Sequence, residues 1–127
     1  MVLSGQEARI KKAKALIKAA QFLFENGYYN DSVSRAYYAI YHLTVALLAI
    51  KKNMVRDRWD HTELHKALLD SFCKKGFLLN ARDGETFSEL KSFRNDSDYE
   101  MKSLNKRVTE KLLNKAMDLV EKIEGVL

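Results

Sequence analysis

His42, His61, His65, Cys73 and Arg94 are the residues of this 127-residue chain whose types and spacing invite a chemical reading. His61 and His65 stand four apart, so on a helix their rings share a face, a spacing that can chelate a metal. The detail argues against it. A zinc-protease helix needs Glu directly after the first His, and here Thr62 stands there with Glu63 one step late. His61-Thr62-Glu63 fits the first half of the zinc-deaminase signature, but its Pro-Cys half cannot exist in a chain with no proline and one cysteine. Neither a metal nor another cofactor is therefore expected, and His61 reads as a first-turn residue at the edge of an apolar stripe, packing or making a local hydrogen bond.

Ser34, Tyr38 and His42 follow at i, i+4 and i+8 on an otherwise apolar segment, with Arg35 beside them. They form either a binding seam or a set of satisfied core groups, because polar atoms on so hydrophobic a helix need partners when buried. Arg94 is more pointed. At 100° per residue it projects between Phe87 and Leu90, on the apolar stripe, where an unpaired guanidinium is costly. Its counterpart is either a carboxylate, from Asp98 (favoured), Asp96 or another helix, or a phosphate gripped by paired hydrogen bonds. No serine nucleophile elbow, triad spacing or glycine-rich phosphate loop occurs.

These residues must be positioned by helices. Proline is absent, and apolar residues recur at helical spacing throughout. Ile10, Ala13, Leu16, Ile17, Ala20, Leu23 and Phe24 form the stripe of a first helix that ends at Asn26-Gly27. Asn30 or Asp31 can cap a second, running to about Lys52, apolar almost all round and therefore central. Lys51 to Arg58 reads as a loop. Asp60 and Glu63 resemble a capping box that opens a third helix with Leu64, Ala67, Leu68 and Phe72 inward, ended by Gly76. Asp83-Gly84 reads as a turn before a short fourth helix marked by Phe87, Leu90 and Phe93, and the polar run Asn95 to Lys102 is not expected to continue it. The last helix, about Asn105 to Glu124, is cleanly amphipathic. The expected fold is all-α: one domain over residues 1–127, an up-and-down bundle of four to five helices.

The excess of 22 basic over 17 acidic side chains, a net charge of +5, admits a polyanion partner but is also an ordinary solubility value. Lone Cys73 cannot form an internal bridge and suits a reducing compartment. No apolar core follows a basic patch in MVLSGQEARI, and the most apolar stretch, Ala36 to Ile50, falls short of the roughly 20 residues of a membrane span. A cytoplasmic protein without a membrane segment is expected.

The run GYYNDSVSRAYYAIYHLTVALL, from Gly27 to Leu48, resembles the second-helix signature of HEPN domains (higher eukaryote and prokaryote nucleotide-binding), in the small stand-alone subgroup with an AYYA-type sequence. His61 stands where that subgroup often opens its third helix with a Thr-His pair. SFCKKGFL and SFRNDSDYE resemble its Phe…Lys-x-Gly and Arg-x-x-Ala-Asp-Tyr runs, with Ser97 at the small position. The resemblance covers nearly the whole chain. It implies a helical bundle forming homodimers near the Arg motif. It also implies a toxin-antitoxin setting, with a small nucleotidyltransferase as partner and a nucleotide or RNA as ligand. Many HEPN proteins are metal-independent RNases in which an Arg holds the scissile phosphate and a His four to six residues later moves the proton of the 2′-hydroxyl. Arg94 matches the Arg. Tyr99 stands five residues on, and no histidine follows His65. A phenol with a reference pKa of about 10 is a poor base at neutral pH.

The leading expectation is thus a dimeric, non-catalytic or degenerate member binding through Arg94, Asp98 and Tyr99, with Tyr38, His42 and Arg35 as further ligand contacts. An active RNase, with proton transfer by His61 or by Tyr99, is the alternative. A purely structural bundle is the third.

Overall fold

A computed structural model describes residues 4–74, 76–99 and 103–127, and for residues 4 and 96–99 the backbone alone. The described residues form helices and no strand. α1 (Ser4–Glu25) and α2 (Tyr29–Lys52) make an antiparallel pair. The small residues of the α1 stripe, Ala13 and Ala20, are fully buried, so the two backbones approach closely; Ser32 Oγ donates to Ala20 O at 2.7 Å across the contact. The turn between them closes as a Schellman motif. Gly27 takes φ +82°, Tyr28 N–H reaches Leu23 O at 2.8 Å, and Gly27 N–H reaches Phe24 O at 3.1 Å.

α2 packs against each of the other helices. Its apolar circumference predicts this position, and Tyr37, Ile40, Leu43, Leu47 and Leu48 are all fully buried. Most of its apolar residues are covered within one chain. α2 is long and apolar enough to cross a membrane, and 67% of that stretch is buried inside the bundle. Neither Asn30 nor Asp31 caps it. Tyr28 occupies the cap position without a side-chain bond, and Asn30 Oδ1 instead accepts from Leu104 N–H at 2.8 Å, tying the start of α2 to the entry of the last helix.

α3 (His61–Leu68) opens as expected on Asp60, whose Oδ1 accepts from Thr62 and Glu63 N–H at 2.9 and 3.2 Å. Only half of the capping box forms: Glu63 turns outward to Arg56. The helix then widens into a π-turn (Leu69–Cys73), with Lys74 N–H bonded to Leu69 O at 2.9 Å, before Gly76 ends it at φ +61°.

α4 (Ala81–Tyr99) corrects two expectations. Asp83-Gly84 is no turn but lies in the first turn of this helix. Asn80 and Asp83 bond each other's backbone N–H at 2.9 and 3.0 Å, which starts the helix earlier than the turn signal suggests. Gly84 serves packing: a Cβ there would lie 2.4 Å from Leu69 Cδ2 and 3.4 Å from Cys73 Sγ, so α4 and the π-turn meet where the side chain is missing. At its far end the helix runs through the polar stretch as far as Tyr99, so it is long rather than short. α5 (Lys106–Val126) begins on Asn105, whose Oδ1 accepts from Val108 N–H at 2.8 Å, and covers α2 with Leu112, Ala116, Leu119 and Ile123.

Gly84→Val should lower stability by about 1 to 3 kcal/mol, because overpacking forces Leu69 and Cys73 aside. Equal urea midpoints for variant and wild type would contradict the close approach.

Candidate functional site

The AYYAIYH segment of α2 places Tyr37 and Tyr38 side by side and Tyr41 one turn on. Tyr37 points fully inward; Tyr38 and Tyr41 are half-buried. His61, in the first turn of α3, lies against all three rings, with centroids at 5.5, 6.3 and 5.1 Å. Tyr41 holds this approach in place by donating its hydroxyl to Trp59 O at 2.8 Å, just before the α3 cap. α4 closes the other side. Phe87 meets the Tyr37 ring edge-on at 5.6 Å, and the Arg94 guanidinium carbon lies 4.9 Å from the Tyr38 ring and 5.5 Å from that of Tyr37. Arg94 is 9% exposed, so its projection onto the apolar face is as the periodicity required. Lys91, one turn before it, donates to Thr62 Oγ1 at 3.2 Å and binds α4 to the start of α3.

The hydroxyl of Tyr37 and Nδ1 of His61 share a hydrogen bond. Its direction follows from burial. Burial pushes the Tyr37 phenol well above its ordinary pKa, so it keeps its proton. A buried O–H that donated to nothing would cost about 1 to 3 kcal/mol. Tyr37 therefore donates and Nδ1 accepts, which leaves the His61 proton on Nε2. His61 is held below the usual imidazole range, first by burial and then by the charges of Arg94 and Lys91. The result is a neutral imidazole whose second nitrogen is a donor, beside a guanidinium.

His65 has a different use. Its Nε2 donates to Gly84 O at 3.2 Å and its ring stacks on Phe87 at 5.0 Å, so it fastens α3 to α4. The pair His61/His65 shares a helix without sharing a target, and no group of three His, Cys, Asp or Glu converges among the described residues. Cys73 is buried, and its thiol is pushed up to about 11 by burial.

His42 lies beside α1 rather than in the Arg94 cluster. Arg9 donates to its Nδ1 at 3.0 Å and to Asp57 O at 3.2 Å. Burial, helped by the charges of Arg9 and Lys12, lowers His42 to about 4. Ser34, Arg35, Tyr38 and His42, the seam read from the sequence, do line one groove, with Lys12 and Leu16 of α1 as its other wall. The side chains of Asp98 and Tyr99 lie outside the described residues, and with them the expected pairing of Arg94 with Asp98 and any role for Tyr99. Sequence reading missed Arg9, Lys12, Tyr37 and Lys91. The i, i+3 spacing of Arg9 and Lys12 marks a shared face, but nothing in it says which helix that face meets.

Two outcomes follow. Tyr37→Phe should free the His61 tautomer and raise the imidazole pKa, read by nitrogen NMR shifts during a pH titration; an unchanged tautomer would contradict the assigned direction. For His42 the folded pKa of about 4 lies below the ordinary 6.5, so the unfolded chain takes up the proton first. The stabilisation by neutral His42 is complete above pH 6.5 and is lost as pH falls towards 4. Wild type should lose stability relative to His42→Gln across that window in urea titrations.

The sequence matches the family model for the HEPN domain over residues 6–126. Two proteins of Methanocaldococcus jannaschii, each bearing the name "Putative toxin", are 31% identical over 121 residues (95% of this chain, 87% of the relative) and 28% identical over 125 residues (95% and 80%). A UPF0332 protein of Archaeoglobus fulgidus is 30% identical over 122 residues, 95% of this chain and 94% of its own. With a match spanning α1 to α5, this chain, a helical bundle around the AYYA tyrosines, belongs to the HEPN domain family.

Proposed function

We propose that this chain is a non-cleaving HEPN protein that binds RNA phosphate through Arg94 and His61. One observation carries the reading: the hydrogen bond from Tyr37 makes His61 a neutral Nε2–H donor next to the Arg94 guanidinium. A guanidinium and a neutral N–H are two donors of the kind a phosphate oxygen accepts from. Cleavage through the 2′-hydroxyl needs in addition a group that accepts a proton. Nδ1 of His61 is already occupied and Nε2 already protonated, while the residue at the motif's His position is Tyr99, a phenol. General acid and base catalysis typically contributes 10²- to 10⁴-fold, and its loss leaves binding with poor turnover. The half-buried Tyr38 ring beside Arg94 adds a surface on which a base can stack.

The association with a second copy and with a small nucleotidyltransferase, in a toxin-antitoxin pair, is part of this proposal and rests on the family resemblance; the toxin names of the relatives support the setting. A second reading, metal-independent RNase activity, is favoured by the proximity of neutral His61 to Arg94, because exchange of the Tyr37 bond would turn Nε2 into a base.

A labelled RNA incubated with the protein in EDTA separates the two. The expected result is retained binding without cleavage in wild type, and binding weakened at least tenfold in Arg94→Ala. Metal-independent cleavage lost in both Arg94→Ala and His61→Ala would install the RNase. Light scattering that gives the 14.7 kDa monomer mass at high micromolar concentration would remove the dimer.

A further inference from the structure

We propose that the groove between α1 and α2 is a second phosphate subsite, which takes the next stretch of a single-stranded RNA held at Arg94; the proposal rests on the reading of the Arg94 site given above. The two places share a residue. Tyr38 carries the Arg94 guanidinium 4.9 Å from its ring and also lines the groove, a space of about 420 Å³. A strand leaving Arg94 past this tyrosine reaches the groove that the same residue lines.

The lining has the chemistry of such a ligand. Lys12 and Arg35 are exposed cations, and neither makes an ion pair or side-chain hydrogen bond within the described residues, unlike Lys115 or Lys122, which are paired with Glu89 and Asp83. Asp31 is the one acidic residue of the groove. His42 adds a donor: an arginine side chain cannot accept, so Nδ1 accepts from Arg9 and the neutral ring carries its proton on Nε2. Ser34 supplies a hydroxyl, and Leu16 and the Tyr38 ring supply apolar surface. Two unpaired cations, two neutral donors and an aromatic face in one groove are what a sugar-phosphate chain with unstacked bases meets in single-strand binders. An anionic protein segment would use the cations but has no need of a groove continuous with Arg94.

The test is fluorescence anisotropy of the full chain with a labelled uridine dinucleotide and a labelled ten-nucleotide oligouridine, across 50 to 200 mM salt. Wild type should bind the longer strand at least tenfold more tightly. The surface double variant Lys12→Gln/Arg35→Gln should bind the dinucleotide as wild type does but lose the gain from length. Its slope of log affinity against log salt for the longer strand should fall by about 1.4, since each lost phosphate contact on a single strand removes about 0.7. Arg94→Ala should weaken both ligands; Arg94→Lys, which keeps the charge, serves if the alanine variant does not fold. If the double variant binds the ten-nucleotide strand with wild-type affinity and slope, the groove proposal is overturned and the Arg94 reading stands. If the long strand depends on Lys12 and Arg35 while both ligands ignore the Arg94 change, the Arg94 reading fails and, with it, the continuity proposed here. Binding of neither strand by wild type overturns both.

Discussion

A phenol with no access to water must donate a hydrogen bond to an acceptor nearby, and in this bundle Tyr37 donates to His61. Much of the site depends on that constraint. It joins the central helix to the start of α3, decides which imidazole nitrogen carries the proton, and keeps the ring neutral beside a buried guanidinium. The stacking of Tyr37 and Tyr38 under Arg94 is part of the same arrangement, since a cation withdrawn from water is offset in part by the negative faces of the rings it lies on. A positive charge on His61 would break this order at once: Nδ1 could no longer accept, and two cations would share a site poor in water.

The surrounding elements make the constraint hold. Asp60 caps α3 and so sets where His61 enters; Tyr41 holds Trp59 and thereby the approach to that cap. From the other side, Lys91 on Thr62 and His65 on Gly84 bind α4 to α3 at two levels, and the missing Cβ of Gly84 lets the helix come close to the π-turn. A π-turn places one extra residue in the helix, which rotates Phe72 and Cys73 relative to a regular continuation. Each of these contacts is modest, about 1 kcal/mol as hydrogen bonds go. Together they over-determine the position of one histidine and one arginine, the rigidity that the proposed recognition of a phosphate needs.

Polar residues on the remainder of α2 follow the same logic at lower cost. His42 is kept neutral by burial and by Arg9, and so contributes a donor rather than a charge. The chain's excess of positive charge is then not evenly spread in its consequences: Lys115 and Lys122 are matched by carboxylates, whereas Lys12 and Arg35 face a groove without an ion-pair partner among the described residues.

The sequence by itself determined the bundle, because helical periodicity is a local property: a stripe at i, i+3, i+4 and i+7 defines a buried face whatever covers it. It determined the centrality of α2 from its apolar circumference, the Gly27 and Gly76 ends, the Asp60 cap, and the burial of Arg94. It also singled out His61 and the seam of Ser34, Arg35, Tyr38 and His42. Local signals failed where a distant contact competed for the same atoms: Asn30 serves Leu104 rather than its own helix, and Gly84 is a contact point rather than a turn, because a glycine looks alike in both roles until its neighbour is known. Only the tertiary structure decided that Tyr37 meets His61, that Arg94 lies over two tyrosines, and that Arg9 and Lys12 complete the groove. Those are contacts between helices, and the rotation of one helix against another is set by packing over the whole interface, which no single stretch of sequence contains.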